Sequence, residues 1–187
     1  IYVHMTSRYR QVKMHEGEVF FQVQPDIDRP FQVSTPSGLV RVMGTAFNLK
    51  RRRGKVSVDV DHGRVKVQSN PELPGNFNRK EVTLVSGQGV DINPSGLMME
   101  LRESKIQQVL AWRQQKAVFK NTPVGDVLYE LGLYHNVKIK LESYGLENRG
   151  ITGTFDMNNL EQTLGLIVMA ASLKIDEEPD GTIKLYR

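Results

Sequence analysis

A chain of 187 residues that is 39% hydrophobic has enough apolar mass for one large core or two small ones, which excludes wholesale disorder. It contains no cysteine, so thiol catalysis, disulfide staples and thiolate metal sites are excluded together, while the redox compartment stays open. The formal net charge of +4 is uneven: up to Trp112 there are 16 Lys and Arg against 11 Asp and Glu (+5), and after it 9 against 10 (−1). The basic balance therefore belongs to the first part alone. No run approaches the roughly 20 apolar residues that a membrane-spanning helix needs. The chain opens at Ile1 without an initiator Met or a charged-then-apolar leader, and it reads as a piece of a longer protein with any membrane anchor outside it.

From Tyr9 to Asp91 apolar residues alternate with period two, the pattern of half-buried strands. Val19, Phe21 and Val23 share a face, as do Val56, Val58 and Val60, and then Val65 and Val67. Turn formers interrupt at Glu16-Gly17, Pro25-Asp26, Pro36-Ser37-Gly38, Arg53-Gly54, Asp61-His62-Gly63 and Ser86-Gly87. Strands separated by turns at about 8–12-residue spacing predict an all-β unit, here over residues 1–97 and either solenoid-like or sandwich-like. Val56 to Val67 reads as a hairpin turned at Gly63, which tolerates a positive φ. Pro71 to Asn78 reads as a surface loop. Asn93-Pro94-Ser95-Gly96 ends the strand series, and Met98 to Trp112 predicts a connecting helix within a linker over 98–115.

After Trp112 the periodicity changes. Ala117 to Phe119 predicts a strand, with Thr122 as a helix N-cap and Pro123 at the first helical position, where its missing N–H costs nothing. Val124, Val127, Leu128 and Leu131 then follow the i, i+3, i+4, i+7 spacing of an amphipathic helix. Asn136 suits a left-handed C-terminal cap, and Val137, Ile139 and Leu141 resume strand alternation. The order recurs with a strand at Ile151 to Phe155, a cap at Asn158 or Asn159, a helix, and a strand at Leu173 to Ile175. Phe119 and Phe155, Val124 and Leu160, Leu128 and Leu164, Leu131 and Ile167, Val137 and Leu173, and Ile139 and Ile175 are each 36 residues apart. That is an internal duplication. With a final strand at Thr182 to Tyr186 after Asp180-Gly181, it predicts a small β-α-β-β-α-β-β unit over 116–187, two helices on one sheet.

Enzymatic signatures are weak. His4, His15, His62 and His135 are scattered without metal-ligand spacing and read as surface histidines. Asp59, Asp61 and Gly63 faintly suggest a calcium loop, but the twelfth position is Asn70 rather than a bidentate Glu. Ser86-Gly87-Gln88-Gly89 has no following Lys or helix to hold a phosphate and reads as a turn. The run Lys50-Arg51-Arg52-Arg53-Gly54-Lys55 could meet phosphates, yet it sits at a predicted turn without interleaved aromatics, so a solvated hairpin tip is favoured. Acids are plentiful, but nothing in the sequence places two of them together as a carbohydrate-active site requires. No cofactor, metal or nucleic-acid partner is expected.

The runs Arg10-Gln11-Val12-Lys13-Met14-His15-Glu16-Gly17-Glu18-Val19-Phe20-Phe21, Arg29-Pro30-Phe31-Gln32-Val33 and Val40-Arg41-Val42-Met43-Gly44-Thr45-Ala46-Phe47-Asn48-Leu49, with Val65-Lys66-Val67 and Ala111-Trp112-Arg113, resemble the FecR family in sequence and order. The second part resembles the short domain at the N-terminus of secretins and TonB-dependent transporters. The resemblance implies the periplasmic part of a single-pass inner-membrane regulator of a sigma factor. Its partner would be the signalling domain of a TonB-dependent outer-membrane transporter, usually in iron-siderophore uptake. The cytoplasmic segment that would contact the sigma factor, the membrane helix and the first strands of the FecR domain are not in this sequence. The resemblance also implies a self-cleavage site at Gly44-Thr45, with the Thr45 hydroxyl as nucleophile; a tight turn entering the strand at Phe47 is the plainer reading.

A small sheet with helices on one face leaves strand edges unpaired, and a partner strand can satisfy them. The expected docking edges are Ile151 to Asp156 and Thr182 to Tyr186. Ile151, Phe155, Ile183 and Leu185 would point inward, leaving Thr152, Thr154, Asp156, Lys184 and Tyr186 to meet the partner. A periplasmic scaffold and a carbohydrate-active β protein are the competing readings.

Overall fold

The computed structural model describes residues 1–70, 80–143 and 145–187, and the chain forms two units, Ile1–Leu110 and Ala111–Arg187. The loop expected over Pro71 to Asn78 lies outside the described residues. Among the described residues no helix is long and apolar enough to cross a membrane.

The first unit is built from β1 (Tyr2–Met5), β2 (Arg10–Lys13), β3 (Gly17–Gln22), β4 (Phe31–Thr35), β5 (Gly38–Val42), β6 (Ala46–Arg52), β7 (Lys55–His62), β8 (Arg64–Ser69), β9 (Glu81–Val85), β10 (Gln88–Ile92) and β11 (Arg102–Glu103). They form two sheets, ordered β1-β2-β4-β5-β8-β9 and β11-β10-β7-β6-β3. Neighbours are antiparallel except β2 and β4. The alternation read from the sequence puts every second residue between the sheets. Val33, Val40, Val65 and Val67 from the first sheet meet Phe47, Leu49, Val58 and Val90 from the second in one core. Phe21 stacks on Phe47 with centroids 5.1 Å apart. Each fully buried valine or leucine removed from water contributes about 1.5–3 kcal/mol. The all-β unit is thus a two-sheet sandwich.

The expected Val56 to Val67 hairpin does not form. β7 and β8 are consecutive but belong to different sheets, and the chain crosses from one to the other at Gly63 (φ +88°). Alternation shows which face of a strand is buried, and it is the same whether the next strand pairs alongside or packs opposite. The hairpin partner of β7 is β6, joined through Arg53-Gly54 with Arg52 opposite Lys55.

The expected helix over Met98 to Trp112 is also corrected. Met98 bridges to Ile92, Arg102 and Glu103 pair with β10, and helix remains only at α1 (Ile106–Val109), followed by a 3-10 turn at Leu110–Gln114. Side-chain chemistry holds the segment extended. The Arg102 guanidinium donates to both Asp59 oxygens, at 2.6 and 3.1 Å, and to Asp91 at 3.2 Å. The Ser104 hydroxyl donates to Asp59 at 2.6 Å, and the Ser104 amide donates to the Gly87 carbonyl at 2.7 Å. Asp59 alternates away from the core valines, yet its side chain is only 3% exposed. Gly89 makes room for the pair: a Cβ there would sit 2.6 Å from Arg102 Nη1 and 2.7 Å from Asp59 Oδ1.

The second unit contains β12 (Lys116–Pro123), α2 (Val124–His135), β13 (Ile139–Glu142), β14 (Gly150–Asp156), α3 (Leu160–Ala171), β15 (Lys174–Glu177) and β16 (Ile183–Tyr186). The predicted stripe Val124, Val127, Leu128 and Leu131 is buried, as are Thr163, Leu164, Ile167 and Ala171 on the second helix. They share a core with Phe119, Ile151, Phe155 and Leu185. The duplication extends to the caps, because Asn136 (φ +53°) and Ser172 (φ +54°) end their helices in the left-handed conformation. Asn159 caps α3, accepting from the Gln162 amide at 2.9 Å. Thr122 does not cap α2. The helix begins one residue later than predicted, and its first amides reach the carbonyls of Arg149 (2.8 Å) and Glu147 (3.0 Å), an alternative supply for orphan N-terminal donors. The strands form two sheets rather than one, β12-β14 and β13-β16-β15.

Replacing Arg102 by Met leaves Asp59 buried without its cation. Chemical denaturation is expected to show a loss of about 2–3 kcal/mol, below the full value for a buried pair because Arg102 is partly solvated. Acid weakens the same network. Burial pushes the Asp91 carboxyl up, but hydrogen bonds from Lys55 and Ser57 and the charge of Arg102 outweigh it and hold the group below its ordinary 3.8. A carboxyl lowered on folding stabilises above its unfolded value and loses that contribution as pH falls through its folded one. Stability of wild type relative to Asp91→Asn therefore shrinks as pH drops below about 4, readable from denaturation midpoints across an acid series.

Candidate docking edges

In β14 the inward side chains are Ile151 and Phe155, both buried, while Thr152, Thr154 and Asp156 are exposed. Among the described residues β14 pairs with β12 alone. The Met157 amide donates to the Gln115 carbonyl at 2.7 Å. Antiparallel pairing alternates from there, so Phe155 and Gly153 turn their main-chain groups toward β12, and Thr152, Thr154 and Asp156 turn theirs away. The Asp156 carbonyl is taken by the Thr163 hydroxyl at 2.8 Å, and its carboxylate accepts from the Asn158 amide at 2.8 Å. The Thr152 hydroxyl accepts from the Asn121 amide at 2.9 Å, across the irregularity in β12.

The other edges of this unit carry the features that discourage strand addition. β12 breaks register between Phe119 and Thr122, has Asn121 at φ +47°, and carries Lys116, Lys120 and Pro123. β15 presents Lys174, Asp176 and Glu177, and β13 presents Lys140 and Glu142. Between Gly150 and Phe155, β14 has no charged residue.

Thr182 to Tyr186 is not an edge. β16 runs between β13, parallel to it, and β15, antiparallel to it, so both sides of its backbone are already used. Lys184 and Tyr186 do lie on the face opposite the buried Leu185, but they are engaged there. Lys184 Nζ sits 2.6 Å from Glu142, and that hydrogen bond raises its pKa above the ordinary lysine value. Lys174 Nζ stands 6.0 Å above the Tyr186 ring. Sequence order concealed this, because the last strand inserts between two earlier ones.

Gly44 and Thr45 form a packed corner. Thr45 is buried. Its hydroxyl donates to the Arg64 carbonyl at 2.9 Å and accepts from the Arg64 amide at 3.3 Å, tying the start of β6 to the start of β8. Pro25 presses against Gly44, where a Cβ would lie 2.6 Å from its Cα, and Gly63 closes on Thr45 Oγ1 from the other side. The hydroxyl thus meets the main chain of Arg64 on both counts.

The basic run is drawn into ion pairs. Lys50 meets Glu18 at 3.4 Å, Arg51 meets Glu16 at 2.9 Å and Lys55 meets Asp91 at 2.8 Å. His4, His15 and His62 are exposed, and His135 is half-buried with its ring edge-on to Tyr134. Sequence reasoning missed the Asp59–Arg102–Asp91 cluster. Its one local signal was an acid, Asp59, set between the valines of β7, whereas Arg102 lies 43 residues away in sequence.

Residues 1–66 match the family model described as FecR protein, and residues 116–184 match the one described as FecR, C-terminal. Two crystal structures of a candidate anti-sigma factor from Parabacteroides distasonis ATCC 8503, at 1.65 and 2.50 Å resolution, are similar to the chain. Each is 30% identical with a TM-score of 0.82, over 98% of this chain and 83% of that one. No curated protein gives a match.

Thr45→Ala strips both hydrogen bonds from the Arg64 main chain in a buried corner. An unfolding-energy loss of about 1–3 kcal/mol is expected, with Thr45→Ser recovering most of it; equal losses for the two variants in urea titrations would assign the effect to the methyl group instead.

Proposed function

The chain belongs to the FecR family, and we propose that it is the periplasmic signal-receiving region of a transmembrane anti-sigma regulator, docking the signalling domain of a TonB-dependent outer-membrane transporter. The observation that carries this reading is the open edge of β14. A strand laid along it completes a three-stranded sheet, gains main-chain hydrogen bonds at Thr152 and Thr154, and reads the exposed side chains of Thr152, Thr154 and Asp156 for specificity. Iron-siderophore uptake is the setting that suits such a partner. Function here is recognition, with no chemical step.

For the Gly44–Thr45 bond we infer a structural role. The hydroxyl that would have to attack is held by Arg64, and the corner it closes fastens the two sheets. Intact-mass analysis of the folded protein is expected to give one unbroken chain; fragments separating at Gly44 and lost in Thr45→Ala would contradict this.

The docking reading is tested by calorimetric titration with signalling domains of candidate transporters, beginning with those encoded beside this gene. Thr154→Pro removes an amide that points away from β12. It should weaken binding at least tenfold, while circular dichroism and the unfolding midpoint stay close to wild type. Undiminished affinity in that variant would remove β14 as the docking edge.

A further inference from the structure

The positive surplus of the first part is concentrated on one face of the sandwich. On the outer face of the second sheet Lys50 pairs with Glu18, Lys55 with Asp91 and Arg102 with Asp59. The outer face of the first sheet is different. Lys13 on β2, Arg41 on β5, and Arg64 and Lys66 on β8 are all exposed and alternate with the buried valines of their strands. Among the described strand residues, Glu81 is the sole carboxylate on that face. It is 2.6 Å from Lys66, and among the described residues Lys13, Arg41 and Arg64 have no carboxylate partner.

Register makes the arrangement costly. Arg41 lies directly opposite Lys66, and like charges opposed across neighbouring strands destabilise a sheet. Glu81 answers only one of the two. Folding stability does not explain this placement, and departures from local rules concentrate at functional surfaces. Gln11, Gln32, Arg41, Lys66 and Thr83 line up in register across five strands, a polar row about 19 Å wide at roughly 4.8 Å per strand. Tyr2, beside Lys13, and Val85, beside Arg64, are exposed apolar residues on the same face.

We propose that this face is a contact surface for an anionic lipid bilayer. Face-to-face protein interfaces are depleted of charge, and of lysine, at their centres, and the middle of this face carries Arg41 opposite Lys66 instead. Single-stranded nucleic acid asks for a groove with serial aromatic platforms, which an outer sheet face with a single tyrosine does not provide. A bilayer demands no register. Each Lys or Arg brought near it contributes independently, and a tyrosine beside them sits at headgroup level. The inference stands apart from the docking edge on β14: either can fail without the other.

The test is co-sedimentation of the protein with vesicles at low ionic strength, comparing pure phosphatidylcholine with phosphatidylcholine containing about a third phosphatidylglycerol, enough to give an anionic surface. Binding is expected to the mixed vesicles alone and to fall as salt screens the surface. The triple variant Lys13→Gln, Arg41→Gln, Arg64→Gln should weaken partition by well over tenfold, at about fivefold per charge. Its unfolding midpoint should be unchanged or higher, since an opposed like-charge pair is relieved. No binding to the mixed vesicles, equal binding to both kinds, or binding unaffected by the triple variant overturns the proposal. So does retention on heparin or single-stranded DNA without vesicle binding, which would assign the face to a different polyanion.

Discussion

Every strand in a sheet carries a donor and an acceptor on each side, and leaving them unmatched in a dry contact costs free energy. In the second unit that obligation decides what each strand can do. β16 is satisfied on both sides. β12, β13 and β15 meet water with lysines, acids, an irregular register or a proline. β14 has one side closed by β12 and the other regular, with no charge between Gly150 and Phe155. The duplicated helices make this possible, because their buried stripes anchor β14 through Ile151 and Phe155 while its outward residues stay free of the core.

The first unit answers a different constraint. Two sheets with valine-rich inner faces need no polar group between them, so charge is displaced to the outer faces, where it is handled in opposite ways. On the second sheet Asp59, Asp91, Lys55 and Arg102 neutralise one another, and the pairing carries the chain onward as β11 instead of a helix. Gly89 is the enabling position, since any side chain there would collide with the guanidinium. On the first sheet Lys66 has Glu81, whereas Lys13, Arg41 and Arg64 have no carboxylate partner among the described residues, and the like-charged Arg41 and Lys66 are held in register.

The sequence showed faces better than neighbours. Alternation marked Val56, Val58 and Val60 as buried, and the 36-residue duplication marked the helical stripes and the Asn136 turn, because these signals are local in the chain. Pairing is not local. Nothing between Val56 and Val67 distinguishes a hairpin from a crossing between sheets, and nothing in Thr182 to Tyr186 announces insertion between β13 and β15. The Met98 to Trp112 segment has enough apolar and helix-favouring residues to suggest a helix, but a bidentate contact from Arg102 to a carboxylate 43 residues earlier overrides that propensity. Thr122 looked like a cap in every local respect and lost the role to carbonyls from the loop before β14. At the candidate site, the outward set on β14 was legible from period two, whereas the middle position of β16 required the tertiary pairing.

Amide hydrogen exchange on the complex with a cognate transporter signalling domain measures the central claim directly. If a strand is added to β14, the amides of Thr152 and Thr154 exchange freely in the isolated chain and become protected when the partner binds. Protection appearing instead along β13, along β15 or on the helix faces, with Thr152 and Thr154 still exchanging freely, would contradict the account.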